Sequence, residues 1–419
     1  MRVERVTEEM IAEHRRLARL RPDHGLPELA RCLVRFGWQI NRENPPEGVA
    51  YFEEAVSIYR SLAAGGEAEH LNNAARALSL LGLQYSFAYA DGPALAARQE
   101  AAALARRAAR RPLEPDPKIL MELACTLAEV GQFADAATVQ LEVVDSYRAR
   151  GAHGVYPQPS SVMWALLDMA IYLDLAGQTD ASLEFEREAL ALQRRMSEAG
   201  PAWLATWVLW AAGSSLRFTD SGHPDEARGL LREAVAACDQ RPRESTRVNF
   251  GFDQAVQASL FARSGARDER SEAFRPVPVG VDPDQPLQPV PGLSFHHWSF
   301  SVRQAYRAGL AAIDEAIAAI TDSPARGQDR LAELGLLMRR RAIRASVLCH
   351  GPVQFQEEVV PVLTHSVSLE RRLVALDPSQ DTRRLIRALI DQAMGHLVAG
   401  VNNRVSDALS EALELHMAS

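Results

Sequence analysis

Apolar residues return along this chain at helical spacing, and the helices they predict come in pairs. The segment Thr7 to Leu20 carries Met10, Ile11, Leu17 and Leu20 on one side, which predicts an N-terminal amphipathic helix. Further on, four glycines each follow an apolar helix, and the first three precede an alanine-rich one. They are Gly131, Gly177, Gly222 and Gly265, at steps of 46, 45 and 43 residues. Seven residues before each stands a small residue: Ala124, Ala170, Ser215 and Ala258. Four before stands a large apolar one: Leu127, Leu173, Phe218 and Phe261. After the first three glycines, Ala136, Ser182 and Ala227 follow at five residues, and Val143, Ala189 and Ala234 at twelve. Small residues let antiparallel helices approach closely, and large ones fill the space between successive pairs. Pro115-Asp116-Pro117, Pro157 to Ser161 and Gly222-His223-Pro224-Asp225 are start and stop signals at the places this pattern requires.

The run from Leu120-Met121-Glu122-Leu123-Ala124 through Gly131 to Ala136 resembles the tetratricopeptide repeat family. Gly48, Phe52 and Ala55 repeat its second helix, and Gly82, Tyr85, Ala94 and Ala101 keep its spacing. Leu373, Pro378, Ala408 and Leu415 resemble closing helices of such units. The family's usual period is about 34 residues, and this chain's is longer, as in the long-helix versions found in bacterial regulators. The resemblance implies an all-α fold, a right-handed α-solenoid of antiparallel helix pairs. The expected organisation is a capping helix over 1–25, repeats over 26–270, a Pro-rich interruption over 271–297 and further helical repeats over 298–419.

In that family the first helix of each pair lines the concave face, and peptide binders carry lysine and asparagine there. The matching positions here are Met121/Cys125, Leu167/Ile171, Ala212/Leu216, Ala255/Ser259 and Ser79/Leu83, so no such clamp is present. The groove reads as apolar, with Trp164, Leu167, Ile171, Trp207, Trp210 and Phe252 as its candidate binding residues. Trp203, Trp207 and Trp210 share one helix face, and repeat-to-repeat core and aromatic wall are both open readings of them.

The fourth repeat loses its second helix to six prolines between Pro276 and Pro291, followed by Phe295-His296-His297-Trp298-Ser299-Phe300. This stretch reads either as a surface linker or as a lid over the groove, with His296, His297 and Trp298 as ligand candidates.

Composition narrows the function. A net charge of −8, with one lysine (Lys118) among 46 basic residues, argues against nucleic acid as a partner. Cys32, Cys125, Cys238 and Cys349 form no Cys-x-x-Cys pair and read as buried thiols of a cytoplasmic chain. The uncharged run Ala199–Leu216 holds glycines, a proline and serines and is a poor membrane span. Phosphate-loop, zinc-protease and nucleophile-elbow motifs are missing from the sequence, and no cofactor or metal is expected. The reading is a non-catalytic interaction or sensor module that binds a peptide or amphipathic helix of a partner protein, with a homodimer as an allowed assembly. The alternative is a small-molecule site, even an enzyme's, with an apolar pocket beneath residues 276–298.

Overall fold

Proline opens many of the helices, because its fixed φ suits the first turn and its missing N–H has no partner there. In the computed structural model, described over residues 6–41, 45–88, 90–109, 115–152, 159–199, 204–239, 300–321, 327–349, 352–377, 382–401 and 404–418, every regular element is an α-helix. Thr7 caps α1 (Glu8–Leu20) by accepting from the Met10 amide. Then come α2 (Pro22–Asn41), α3 (Pro45–Ala63), α4 (Ala68–Phe87), α5 (Asp91–Ala108), α6 (Pro117–Glu129) and α7 (Phe133–Ala152). Asp116 caps α6 through the Lys118 amide at 3.1 Å, as the Pro-Asp-Pro signal predicts. The later helices are α8 (Pro159–Leu175), α9 (Thr179–Ala199), α10 (Leu204–Asp220), α11 (Pro224–Asp239), α12 (Phe300–Thr321) and α13 (Gln328–Leu348). They are followed by the short α14 (Pro352–Glu358), α15 (Val360–Leu376), α16 (Arg383–Val398) and α17 (Val405–Ala418).

The chain divides into two compact units, Met1–Pro157 with Ser299–Ser301, and Gln158–Trp298 with Val302–Ser419. Helices α13 to α17 belong to the same unit as α8 to α11. In the first unit each helix from α1 to α6 packs on its successor. In the second, α8 to α11 do the same, and α13, α15, α16 and α17 form a second run.

Gly131, Gly177 and Gly222 end the first helices of three pairs at φ of 82°, 83° and 83°. Only glycine takes this left-handed turn without strain. In each case the next residue's amide reaches back to Leu127, Leu173 or Phe218 at 2.8 Å, closing the Schellman cap. The apolar residue four before each glycine is therefore the one whose carbonyl the turn needs. Ala124, Ala170 and Ser215 before the turn, and Ala136, Ser182 and Ala227 after it, have no exposed surface. They are the points where the paired helices touch.

Ser182 stands where the other repeats have alanine, and its hydroxyl donates to the Ala170 carbonyl. Arg217 donates to Ser182 and, at 3.0 Å, to Glu186, which also accepts from Ser214. Glu186 is 1% exposed, so removing Arg217 takes a cation away from a buried carboxylate, a strongly destabilising change. A second buried pair, Arg339 with Asp391 at 2.5 Å, joins α13 to α16.

On the outer helices, one bidentate pair recurs. In the first unit Arg15 grips Glu54, Arg60 grips Glu100 and Arg106 grips Glu142. In the second unit Arg187 grips Glu226, Arg194 grips Glu233 and Arg371 grips Glu411. Nε and Nη2 meet the two carboxylate oxygens at 2.5–3.3 Å in all six. The arginine is always on the earlier helix. These pairs are well exposed, so each contributes only about 0.2–1 kcal/mol. They set register more than stability.

Candidate functional site

The apolar residues expected to line a groove are enclosed. Trp164 and Trp210 are 1% exposed, Leu167 not at all, and Trp207 and Ile171 no more than 4%. From Met163 to Asp174 every residue of α8 is buried, which explains why this stretch is apolar on all sides. Trp207 lies at the junction of α9 and α10, its ring 5.3 Å from the Arg194 guanidinium. Arg187 sits in the same way over Phe218, at 5.2 Å. Phe252, His296, His297 and Trp298 lie outside the described residues, as do the Pro-rich segment and the fourth repeat glycine.

Two open concavities lie in the first unit. One, of about 530 Å³, is lined by Ala68, Glu69, Asn72, Asn73 and Arg76 of α4 and by Ala108 and Ala109 at the end of α5. The sequence divides α4 into two faces. Leu71, Ala74, Ala75 and Leu78 are buried. Asn72 and Arg76, one turn apart, face solvent, and Asn73 is half-buried beside them. Asn72 and Arg76 share a face with Ser79 and Leu83, the positions counted back from the repeat turn. The polar end of that face lies one turn N-terminal to Ser79.

The rim has a defined charge order. Arg76 lies 3.9 Å from Asp116, the cap of α6. Lys118 lies 3.9 Å from Glu122, which is 8% exposed and accepts from Ser79. Arg76 keeps 66% of its side chain exposed and, among the described residues, makes only this long contact with Asp116. Its guanidinium is thus open to a further carboxylate, while the Asn72 and Asn73 amides can both donate and accept. A smaller cleft of about 390 Å³ is lined by Glu8, Glu9, Ile11, Ala12, Arg15 and Tyr51. Arg15 is committed there to Glu54, whose hydrogen bond raises the guanidinium pKa further. Among the described residues, no group of three or more His, Cys, Asp or Glu side chains is placed to hold a metal ion. No described helix is long and apolar enough to cross a membrane.

No protein-family model matches the chain, and no curated protein matches it. Several solved structures resemble it distantly. BtubC from P. vanneervenii is 16% identical over 55% of this chain and 85% of its own, with a TM-score of 0.35. A Rap protein complexed with competence and sporulation factor is 12% identical over 97% and 96%, with a TM-score of 0.33. The TPR domain of P58(IPK) is 11% identical over 93% and 97%, with a TM-score of 0.18. The fold rests on the chain's own geometry: paired helices, glycine-capped turns and fully buried small residues at the crossing points. Over the described residues the chain is an all-α repeat of paired helices.

Proposed function

We propose that the chain is a non-catalytic protein-interaction module, and that it holds a peptide segment of a partner in the cleft between α4 and α5. The observation that carries this is the Asn72/Asn73/Arg76 face, which presents amides and a largely exposed guanidinium beside an open cleft. The amides suit a peptide backbone, and Arg76 suits an acidic side chain of the bound segment. An apolar helix laid against Trp164 or Trp210 is a weaker form of the same reading, because both rings are already enclosed.

The test is selection of binders from a phage-displayed random peptide library on the full chain. Enriched peptides carrying Asp or Glu are expected, with affinity falling roughly tenfold or more for Arg76→Glu, about 1.4 kcal/mol. Arg19→Glu, the same charge change on an exposed position of α1, leaves affinity unchanged. Selection that enriches nothing, or peptides indifferent to Arg76→Glu, removes the proposal.

A further inference from the structure

The end helix of a repeat stack carries a polar outer side when water is all that meets it. α1 does not. Ile11 and Ala18 turn inward and are buried, while Met10, Leu17 and Leu20 are 37%, 39% and 71% exposed. Glu9, Glu13 and Arg16 are exposed beside them. At about 3.6 residues per turn, Glu9, Glu13, Arg16 and Leu20 fall in one stripe, with Met10 and Leu17 along its edge.

The repeats show what a glutamate in this position holds. Glu54 and Glu100 stand six residues before Arg60 and Arg106, and each receives the fork of an arginine from an earlier helix. Glu9 stands six residues before Arg15 and is their counterpart on α1. Among the described residues no arginine pairs with it. Its carboxylate meets the Thr7 hydroxyl, which lowers its pKa. Arg15, Arg60 and Arg106 already hold glutamates. Arg16 and Arg19 are the exposed arginines near this face, and they lie towards the other end of the same helix. A face that is acidic at one end and basic at the other complements its own reverse. The helix dipole favours that charge order on any helix, but it does not account for the exposed Met10, Leu17 and Leu20.

We propose that two copies of the chain dock α1 against α1, antiparallel, about a two-fold axis that passes between Glu13 and His14. Met10 of each copy then faces Leu17 of the other. Glu9 of each copy stands within about 3 Å of axial rise of the other's Arg16. Arg16 bonds Glu13 of its own helix at 2.9 Å, but that pair is well exposed, so sharing the guanidinium with a second carboxylate costs little. The patch is the same on both copies, so the assembly closes at two. One helix of 13 residues makes a small contact, and the dimer is therefore weak and concentration-dependent.

Sedimentation velocity over a concentration series tests this, and monomer and dimer in exchange are expected. Glu9→Arg alone and Arg16→Glu alone each set like charges together at both ends of the contact. Each should weaken the dimer roughly tenfold or more. Mixed one to one, the two variants bring opposite charges together at both ends, and affinity returns towards that of wild type. Leu17→Glu should leave only monomer while circular dichroism stays unchanged. A wild-type chain that remains monomeric at high concentration overturns the proposal. A dimer indifferent to Leu17→Glu, or a mixture no tighter than its two parts, overturns it as well. If a charge variant fails to fold, Leu17→Ala decides, since it only shortens an exposed side chain: a weaker dimer supports the α1 contact, and an unchanged one refutes it.

Discussion

A residue held at φ near +82° is glycine for a reason that contacts do not show. No atom lies within 4 Å of the Cβ that Gly131, Gly177 or Gly222 would carry, so the cost of alanine there is backbone strain alone. Each Gly→Ala change is expected to lower stability by about 1–2 kcal/mol in urea titrations. Gly229→Ala, inside α11 with equally open space and no left-handed turn, should instead raise it by up to about 1 kcal/mol. Similar losses at both kinds of site would sink the strain argument. Tyr85 gives a pH signature. Burial, then its hydrogen bond to Glu53 at 2.6 Å, pushes the phenol up from 10 to about 12. The unfolded phenol ionises first, so the stability Tyr85 contributes is intact below about pH 10 and lost as pH rises towards 12. Wild type should lose more stability than Tyr85→Phe between about pH 9 and 11.5, read from urea midpoints; parallel losses would refute the shift. At this scale the sequence was informative about glycines and small residues, whose roles are local. Nothing in the local sequence marks the adjacent acids Glu53 and Glu54 as the acceptors of Tyr85 and Arg15.

The helices show where periodicity stops being enough. The cap signals at Thr7, Asp116 and Pro224 match the starts of α1, α6 and α11, because capping depends on neighbours in sequence. Gly400 also has φ of 77° and closes α16 with the same cap, its following amide reaching His396 at 2.8 Å. It escaped the repeat alignment because α17 begins five residues later, at Val405, whereas α7 begins two residues after Gly131. The longer turn moves every downstream position out of step. Trp210 settles the choice between core and wall in energetic terms. Enclosed in α10, it should cost about 3–5 kcal/mol on Trp210→Ala in thermal or chemical denaturation. A loss below about 1 kcal/mol would mean that the ring is not structural.

For the whole molecule, the division at 157/158 makes the first unit a candidate for independent folding. Residues 1–157 expressed alone should be helical by circular dichroism and melt cooperatively, at one of two transitions seen in the full chain. An unfolded fragment, or a single transition in the full chain, would contradict that division. The meeting of α10 and α11 with α16 and α17 was not legible in the sequence, since it pairs surfaces 167 residues apart through side chains with no local pattern. The outer arginine–glutamate pairs were equally hidden while the helices were read one at a time, yet they follow a ruler. Glutamate precedes arginine by six residues in Glu54/Arg60, Glu100/Arg106, Glu142/Arg148 and Glu226/Arg232. Each of these helices thus has a socket on one edge and a plug on the other. A copied helix pair would carry both halves of this contact, so duplication would preserve the outer ion pair at each new junction.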